Sequence, residues 1–203
     1  KKIVSEEGQE CKLIPNGFDF QKFKITVPVK EKDKYTVSML YHVNPRKDVA
    51  TGIKALKIVK RRIPQLKLII FGAYTQPSNL EEWMTYYPTP SQDKHLWINN
   101  HAAIYVGCSQ IEGWGLTIGE AMMCGQAVAC TDNDGYKEMA KDGYNALISP
   151  IRDPESLAKN IERLILDDDL RNMIASNGLE SIKVFNIEKS YTEFRDYITT
   201  TNK

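Results

Sequence analysis

The sequence predicts an α/β fold, a Rossmann-like parallel sheet with helices on both faces. Short apolar runs of strand length alternate with stretches whose apolar residues recur at helical spacing. Leu66 to Phe71 is continuously apolar, the pattern of a strand buried on both faces. No internal repeat or low-complexity tract interrupts the alternation.

Residues 1–34 are mixed and read as an inter-domain segment. Lys12 to Pro15 is a short extended stretch, Asn16-Gly17 a turn signal, and Lys30 to Lys34 a charged, linker-like run. Residues 35–185 carry the regular alternation and read as one domain. Thr36 to Tyr41 is the first predicted strand. Val49, Ile53, Leu56 and Ile63 mark a helix over 47–63 that stops at Pro64. The strand Leu66 to Phe71 ends at Gly72. Asn79 to Thr85 reads as a short helix, and Ser91 caps another running to about His101. Ala102 to Cys108 is a strand, Thr117 to Cys124 a helix, Ala127 to Thr131 a strand and Ala146 to Ile148 a last short strand. Pro154 opens a helix with Leu157, Ile161, Leu164 and Ile165 on one face. Helical patterns follow over Leu170 to Ser176, Leu179 to Val184 and Ile187 to Ile198, so that 186–203 forms a C-terminal helix.

Composition narrows the function. The chain has 203 residues, 27 basic and 26 acidic, for a net charge of +1. No strong field favours nucleic acid or an anionic membrane, so any phosphate binding is local. The four cysteines, Cys11, Cys108, Cys124 and Cys130, have no metal-ligand spacing with His42, His95 or His101. They read as reduced thiols, as in a cytoplasmic protein. No apolar run reaches the roughly 18 residues that suggest a membrane span. The chain opens Lys1-Lys-Ile-Val without an initiator Met, as though cut from a longer protein.

The chemistry concentrates in Glu112-Gly-Trp-Gly-Leu-Thr-Ile-Gly-Glu120. Glu112 falls in the loop after the 102–108 strand, and ligands of open parallel sheets bind beyond the carboxyl ends of the strands. Glu120 falls inside the following helix. Gly113 to Gly115 is a turn whose backbone can approach a ligand closely. The helix start after it, at Leu116 and Thr117, is an anion site, because its first amides lack intrahelical partners. Two carboxylates flanking an anion site suit a nucleotide sugar, with ribose on one side of a diphosphate and hexose on the other. These nine residues also admit a plainer reading, with Glu120 a solvated helix carboxylate and Glu112 a loop charge. A glycosidase pair is disfavoured by the phosphate-type loop between the two.

Several further segments stand in order with this one: Ile14-Pro-Asn-Gly17 with Phe18-Asp19 and Phe23, Pro45-Arg-Lys47 after the first strand, Ala121 to Gly125 with Val128-Ala129, Gly135 with Glu138, Asn145 to Leu147, and Asp153 to Ala158. Together they resemble the C-terminal, nucleotide-sugar-binding half of glycosyltransferase family 4. These are retaining enzymes of the two-domain GT-B architecture, of which this chain would be one half. The resemblance implies that Glu112 faces the transferred sugar and Glu120 accepts from the ribose hydroxyls. The backbone around Gly113, Gly115, Leu116 and Thr117 would cradle the diphosphate, and Lys47 would neutralise it as it leaves. It implies no cofactor and no metal. The donor would be a nucleotide diphosphate sugar, UDP-linked in the commonest case.

Two positions depart from the family pattern. Tyr41-His42 stands where the family has Gly-Arg, so the diphosphate grip falls to His42 or is helped by Arg46; histidine lacks the guanidinium fork. Asp134-Gly135 replaces Gly-Gly before Glu138. Asp132-Asn133-Asp134 looks like a metal-binding Asp-x-Asp, yet reads better as a hydrogen-bonded turn. Trp83, Tyr86 and Tyr87 could wall a base pocket, although core packing suits at least two of them. His101 is expected to open a strand and make a structural hydrogen bond, and Lys57, Lys60, Arg61 and Arg62 to form a solvated helix face.

The resulting expectation is the donor-binding domain of a bacterial-type hexosyltransferase of polysaccharide biosynthesis, inactive without its acceptor-binding N-terminal half. That half would also supply any peripheral membrane association. The alternatives are a non-catalytic nucleotide-sugar-binding subunit and a nucleotide-sugar epimerase of the same architecture.

Overall fold

A computed structural model describes residues 12–78 and 80–201. Its centre is a six-stranded sheet in the order β3-β2-β1-β4-β5-β6. The strands are β1 (Asp33–Leu40), β2 (Lys67–Gly72), β3 (Met84–Pro88), β4 (Ala102–Gly107), β5 (Ala127–Thr131) and β6 (Ala146–Ser149). Every neighbouring pair is parallel, with Val37 opposite both Leu68 and Ile104. Parallel strands need crossovers, and helices supply them. These are α1 (Val49–Arg62), α2 (Gln92–His101), α3 (Leu116–Met123), the short α4 (Asp134–Lys137), α5 (Pro154–Leu166) and α6 (Asp168–Ser181). A helix α7 (Ile187–Thr201) ends the described chain.

Both faces of the sheet are covered, which is why its strands are apolar throughout. Val37, Met39, Leu68, Ile70, Ile104 and Val106 join α1 and α5 in one core cluster. The alternate residues Ile69, Phe71 and Tyr105 are also buried. Phe71 meets His95 of α2, and Tyr105 bonds Thr117 of α3, so those helices cover the second face. Burying both faces contributes roughly 1.5–3 kcal/mol per large apolar side chain, which is what holds the sheet.

Chain contacts define two units. The larger is Gln21–Lys183, and the smaller comprises the chain ends, Lys1–Phe20 and Val184–Lys203. Within the smaller unit Phe18 forms a bridge with Asn186. The extended stretch expected at Lys12 to Pro15 has no regular structure. Residues 21–32, read from the sequence as part of the inter-domain segment, pack with the larger unit. Asn100 of α2 accepts from the amide of Thr26 at 2.6 Å and donates to the carbonyl of Lys24 at 3.0 Å. Lys32 is buried rather than part of a linker. Its Nζ donates to the carbonyls of Asn99 and Ala102 at 3.0 and 3.3 Å, closing the end of α2. Burial lowers its pKa to about 8. Polar bonds continue inward, from Gln126 Nε2 to Asn99 Oδ1 and from Ser38 Oγ to Gln126 Oε1, each 2.7 Å.

Four local expectations are corrected. The helix expected over Asn79 to Thr85 is instead an approach to β3; Asn79 itself lies outside the described residues. Met84 and Tyr86 face inward and Thr85 outward, a period of two that pairs with β2. The helical patterns at Leu170 to Ser176 and Leu179 to Val184 are α6 followed by one 3-10 turn, Ile182–Val184. The 47–63 helix begins at Val49, because Pro45–Lys47 is a 3-10 turn and Asp48 caps α1. His101 ends α2 and stacks on Trp97 at 4.5 Å, instead of opening a strand. Cys108, Cys124 and Cys130 are buried as expected, and Cys11 lies outside the described residues.

Candidate functional site

In the strand order β1 and β4 are neighbours, while the chain leaves them for opposite sides of the sheet. The loops after these two strands therefore part at their carboxyl ends and leave a crevice. The β1 loop carries His42, Arg46 and Lys47; the β4 loop carries Ser109, Glu112 and Gly113 to Gly115. The amide of Gln110 donates to the carbonyl of Arg46 at 2.8 Å and fastens the two loops together.

Lys47 and Glu112, 65 positions apart, meet there. Lys47 Nζ lies 2.6 Å from Glu112 Oε1, with side chains 27% and 11% exposed. Ser109 Oγ donates to the same oxygen at 2.7 Å. Ser109 is itself fixed. Its carbonyl accepts from Thr131 Oγ1 at 2.5 Å and Asn133 Nδ2 at 3.0 Å, and its hydroxyl accepts from Tyr136 at 3.2 Å. Gly135 is needed here, since a Cβ would lie 2.5 Å from the Glu112 carbonyl oxygen. Sequence reasoning missed Ser109, Thr131, Asn133 and Tyr136, because isolated hydroxyl and amide residues carry no spacing signal.

The helix after the loop begins as an anion site would require. Gly115, in the left-handed conformation at φ 82°, precedes α3, and no side chain caps the helix. A Cβ at Gly115 would lie 2.6 Å from the Tyr136 ring. The amides of Leu116 and Thr117 thus stay uncovered by a side-chain cap, while Leu116 is half exposed. Lys47 and Thr117 line one small void of about 10 Å³ with Ser109 and Tyr136, so cation, helix start and Glu112 anchor form one packed group. Gly113 has open space around it.

Glu120 stands apart from this group, one helical stretch on, facing α2. Its Oε2 is 3.8 Å from His95 Nε2. Burial lifts its pKa to about 7, and burial also lowers that of His95. His42 has partners at both ring nitrogens. Its Nδ1 accepts from the Asn44 amide at 2.9 Å, and its Nε2 lies 3.2 Å from Tyr74 Oη. With Val43, Asn44, Asp48 and Gln110 it walls a groove of about 550 Å³ beside the crevice. Arg46 is exposed.

The other flagged residues fall into structural roles. Tyr86 is buried and Trp83 packs against the core. Tyr87 sits edge-on to Trp97 at 6.1 Å. Lys57 pairs with Glu81, Lys60 donates to the carbonyls of Pro64 and Leu66, and Arg62 pairs with Glu162, so the basic run of α1 is partly engaged. Asp132 pairs with Lys137 at 2.6 Å, and Asn133 caps α4. Among the described residues no group of three or more His, Cys, Asp or Glu could hold a metal. No described helix is long and apolar enough to cross a membrane.

A cation and an uncapped helix start at the switch point of a parallel α/β domain can hold an anionic group such as a phosphate. Residues 20–181 match the family described as Glycosyl transferases group 1, and the chain belongs to that family. It is 24% identical to the capsular polysaccharide biosynthesis glycosyltransferase CapM of Staphylococcus aureus, over 90% of this chain and 54% of CapM. Its fold matches that of Anabaena Alr3699/HepE, solved in complex with UDP-glucose, with a TM-score of 0.80 and 21% identity, over 93% of this chain and 57% of that one. It also matches the C-terminal domain of the group 1 glycosyl transferase LpcC from Francisella tularensis, with a TM-score of 0.70 and 21% identity, over 83% of this chain and 97% of that domain. The fold is thus the Rossmann-like domain of GT-B glycosyltransferases. The chain spans about half the length of the curated relatives CapM and EpsD of Bacillus subtilis.

Proposed function

We propose that this chain is the donor-binding domain of a retaining family 4 glycosyltransferase, moving a hexose from a UDP-type nucleotide sugar to a glycan, lipid-linked or small acceptor. The observation that carries this reading is the Lys47–Glu112 ion pair, 2.6 Å long, beside the uncapped start of α3. Charge builds on the leaving diphosphate as the glycosidic bond breaks, and fixed positive groups there lower the barrier. Lys47 supplies a full charge and the amides of Leu116 and Thr117 partial ones. Glu112, released from Lys47 by the diphosphate, accepts hydrogen bonds from hexose hydroxyls, while Gly113 leaves room for the sugar. Glu120 accepts from the ribose. The acceptor arrives from an N-terminal half, a reading supported by the likeness to the C-terminal domain of LpcC and by the match to about half of CapM. That half also provides any peripheral association with the cytoplasmic membrane face. Titration calorimetry with UDP-glucose and related nucleotide sugars tests the reading. Binding that weakens at least tenfold in Lys47→Ala is expected, and a parent chain that binds no nucleotide sugar refutes it.

A second reading, a non-catalytic nucleotide-sugar-binding subunit, draws on His42. Both its ring nitrogens are engaged, by Asn44 and Tyr74, where the family has an arginine. The complete enzyme assayed for transfer separates the two, and the anomeric configuration of its product tests retention.

A further inference from the structure

We propose that His95 is a positioning residue for the donor's ribose, donating from Nε2 to Glu120 so that the carboxylate presents its other oxygen to the vicinal hydroxyls. This rests on the reading of Glu120 as the ribose acceptor. The geometry comes from two crossovers on one face of the sheet. Ser91 caps α2 with a 3.3 Å bond to the Lys94 amide, and His95 lies one turn in. Its ring is wedged edge-on to Phe23 at 5.1 Å and tilted on Phe71 at 4.7 Å. Such walls fix the ring and offer its nitrogens nothing. Nε2 is enclosed and has no hydrogen-bond partner. An enclosed polar atom without a partner is uncommon, because it has given up water for nothing. The polar group it faces is Glu120 Oε2 at 3.8 Å, about 0.6 Å beyond the usual hydrogen-bond range.

Glu120 is in the complementary condition, with no hydrogen bond to its carboxylate among the described residues. The other titratable groups near it are committed. Tyr105, from β4, is bonded to Thr117. Cys124, one turn further along the chain, is a buried thiol whose pKa is pushed up to about 12, so it stays neutral. Lys32 is turned to the end of α2. Phe23 and Phe71 bring no charge. His95 is therefore the donor that the carboxylate can reach.

Burial leaves His95 mostly neutral at pH 7 and Glu120 about half protonated. Hydroxyls donating to a carboxylate favour its charged form. On donor binding Glu120 gives its proton to solvent. Neutral His95, with its hydrogen on Nε2, then closes the gap to the resulting anion. The histidine needs no net charge, only the right tautomer.

The test compares UDP with 2′,3′-dideoxy-UDP on the 203-residue chain by calorimetry, in the parent, His95→Phe, His95→Gln and Glu120→Gln. The dideoxy ligand lacks the diol, so its affinity reports everything except the ribose contact, including any folding defect. His95→Phe keeps a ring between Phe23 and Phe71 but loses the donor. The preference for UDP over the dideoxy ligand is expected to fall about tenfold in His95→Phe. It should be largely retained in His95→Gln, whose amide can donate. A preference within twofold of the parent in His95→Phe overturns the role of His95. If that occurs while Glu120→Gln abolishes the preference, the ribose reading of Glu120 stands and only this inference falls. If Glu120→Gln also keeps it, or the parent shows none, both fall.

Discussion

Lys47 and Glu112 are each half of a pair that neither could sustain alone. Removing Lys47 leaves an 11%-exposed carboxylate with Ser109 as its remaining partner. A charge-assisted hydrogen bond is worth roughly 1.5–3 kcal/mol, so Lys47→Ala should weaken nucleotide-sugar binding by one to two decades. Titration calorimetry reads that change directly. Glu120 makes a different prediction, about stability. Its folded pKa, about 7, is raised above the reference value of 4.5. The folded state thus holds the proton more tightly than the unfolded one. Stability falls as pH rises from about 4.5, and the loss is complete above about 7. A shift of this size corresponds to roughly 3 kcal/mol. Glu120→Gln should therefore raise Tm at pH 8 and leave it nearly unchanged at pH 4, while weakening binding of ribonucleotides. Equal Tm differences at both pH values would mean that the carboxylate is not desolvated.

At the scale of elements, the start of α3 is the part that cannot be altered cheaply. Gly115 has φ 82°, and a Cβ there would meet the Tyr136 ring at 2.6 Å. Gly115→Ala should cost about 1–3 kcal/mol through backbone strain and the clash. It should also weaken diphosphate binding by shifting the first amides of α3. Denaturant unfolding together with calorimetry measures both effects, and an unchanged midpoint would remove the strain argument. The sequence disclosed most of the elements for a local reason. Strand and helix periods were clear wherever the sheet buried one continuous run, as in β2, or a helix one stripe, as in α5. They failed at β3, where Trp83 and Glu82 resemble a helix and only pairing with β2 selects the strand. The buried Lys32 failed for a similar reason, since a charged run looks solvated until the end of a helix is seen to need its ammonium.

At the scale of the molecule, the proposed reading draws positive charge for a diphosphate from Lys47 and helix amides, while Asp132 pairs with Lys137 and Asn133 caps α4. Nucleotide binding should survive EDTA. Loss on chelation with recovery in Mn²⁺ would return Asp132 and Asp134 to consideration as ligands. The sequence by itself determined the parallel α/β class, the helix cap at Ser91 and the placement of Glu112 in a loop and Glu120 in a helix. Each of these follows from local period or turn chemistry. Only the tertiary structure decided that Lys47 reaches Glu112 across 65 positions, that Ser109 and Tyr136 buttress the pair, that His42 is taken by Asn44 and Tyr74, and that Glu120 faces His95. Those pairings depend on which strands are neighbours and which face each crossover takes, and strand order is a long-range property that no local pattern encodes.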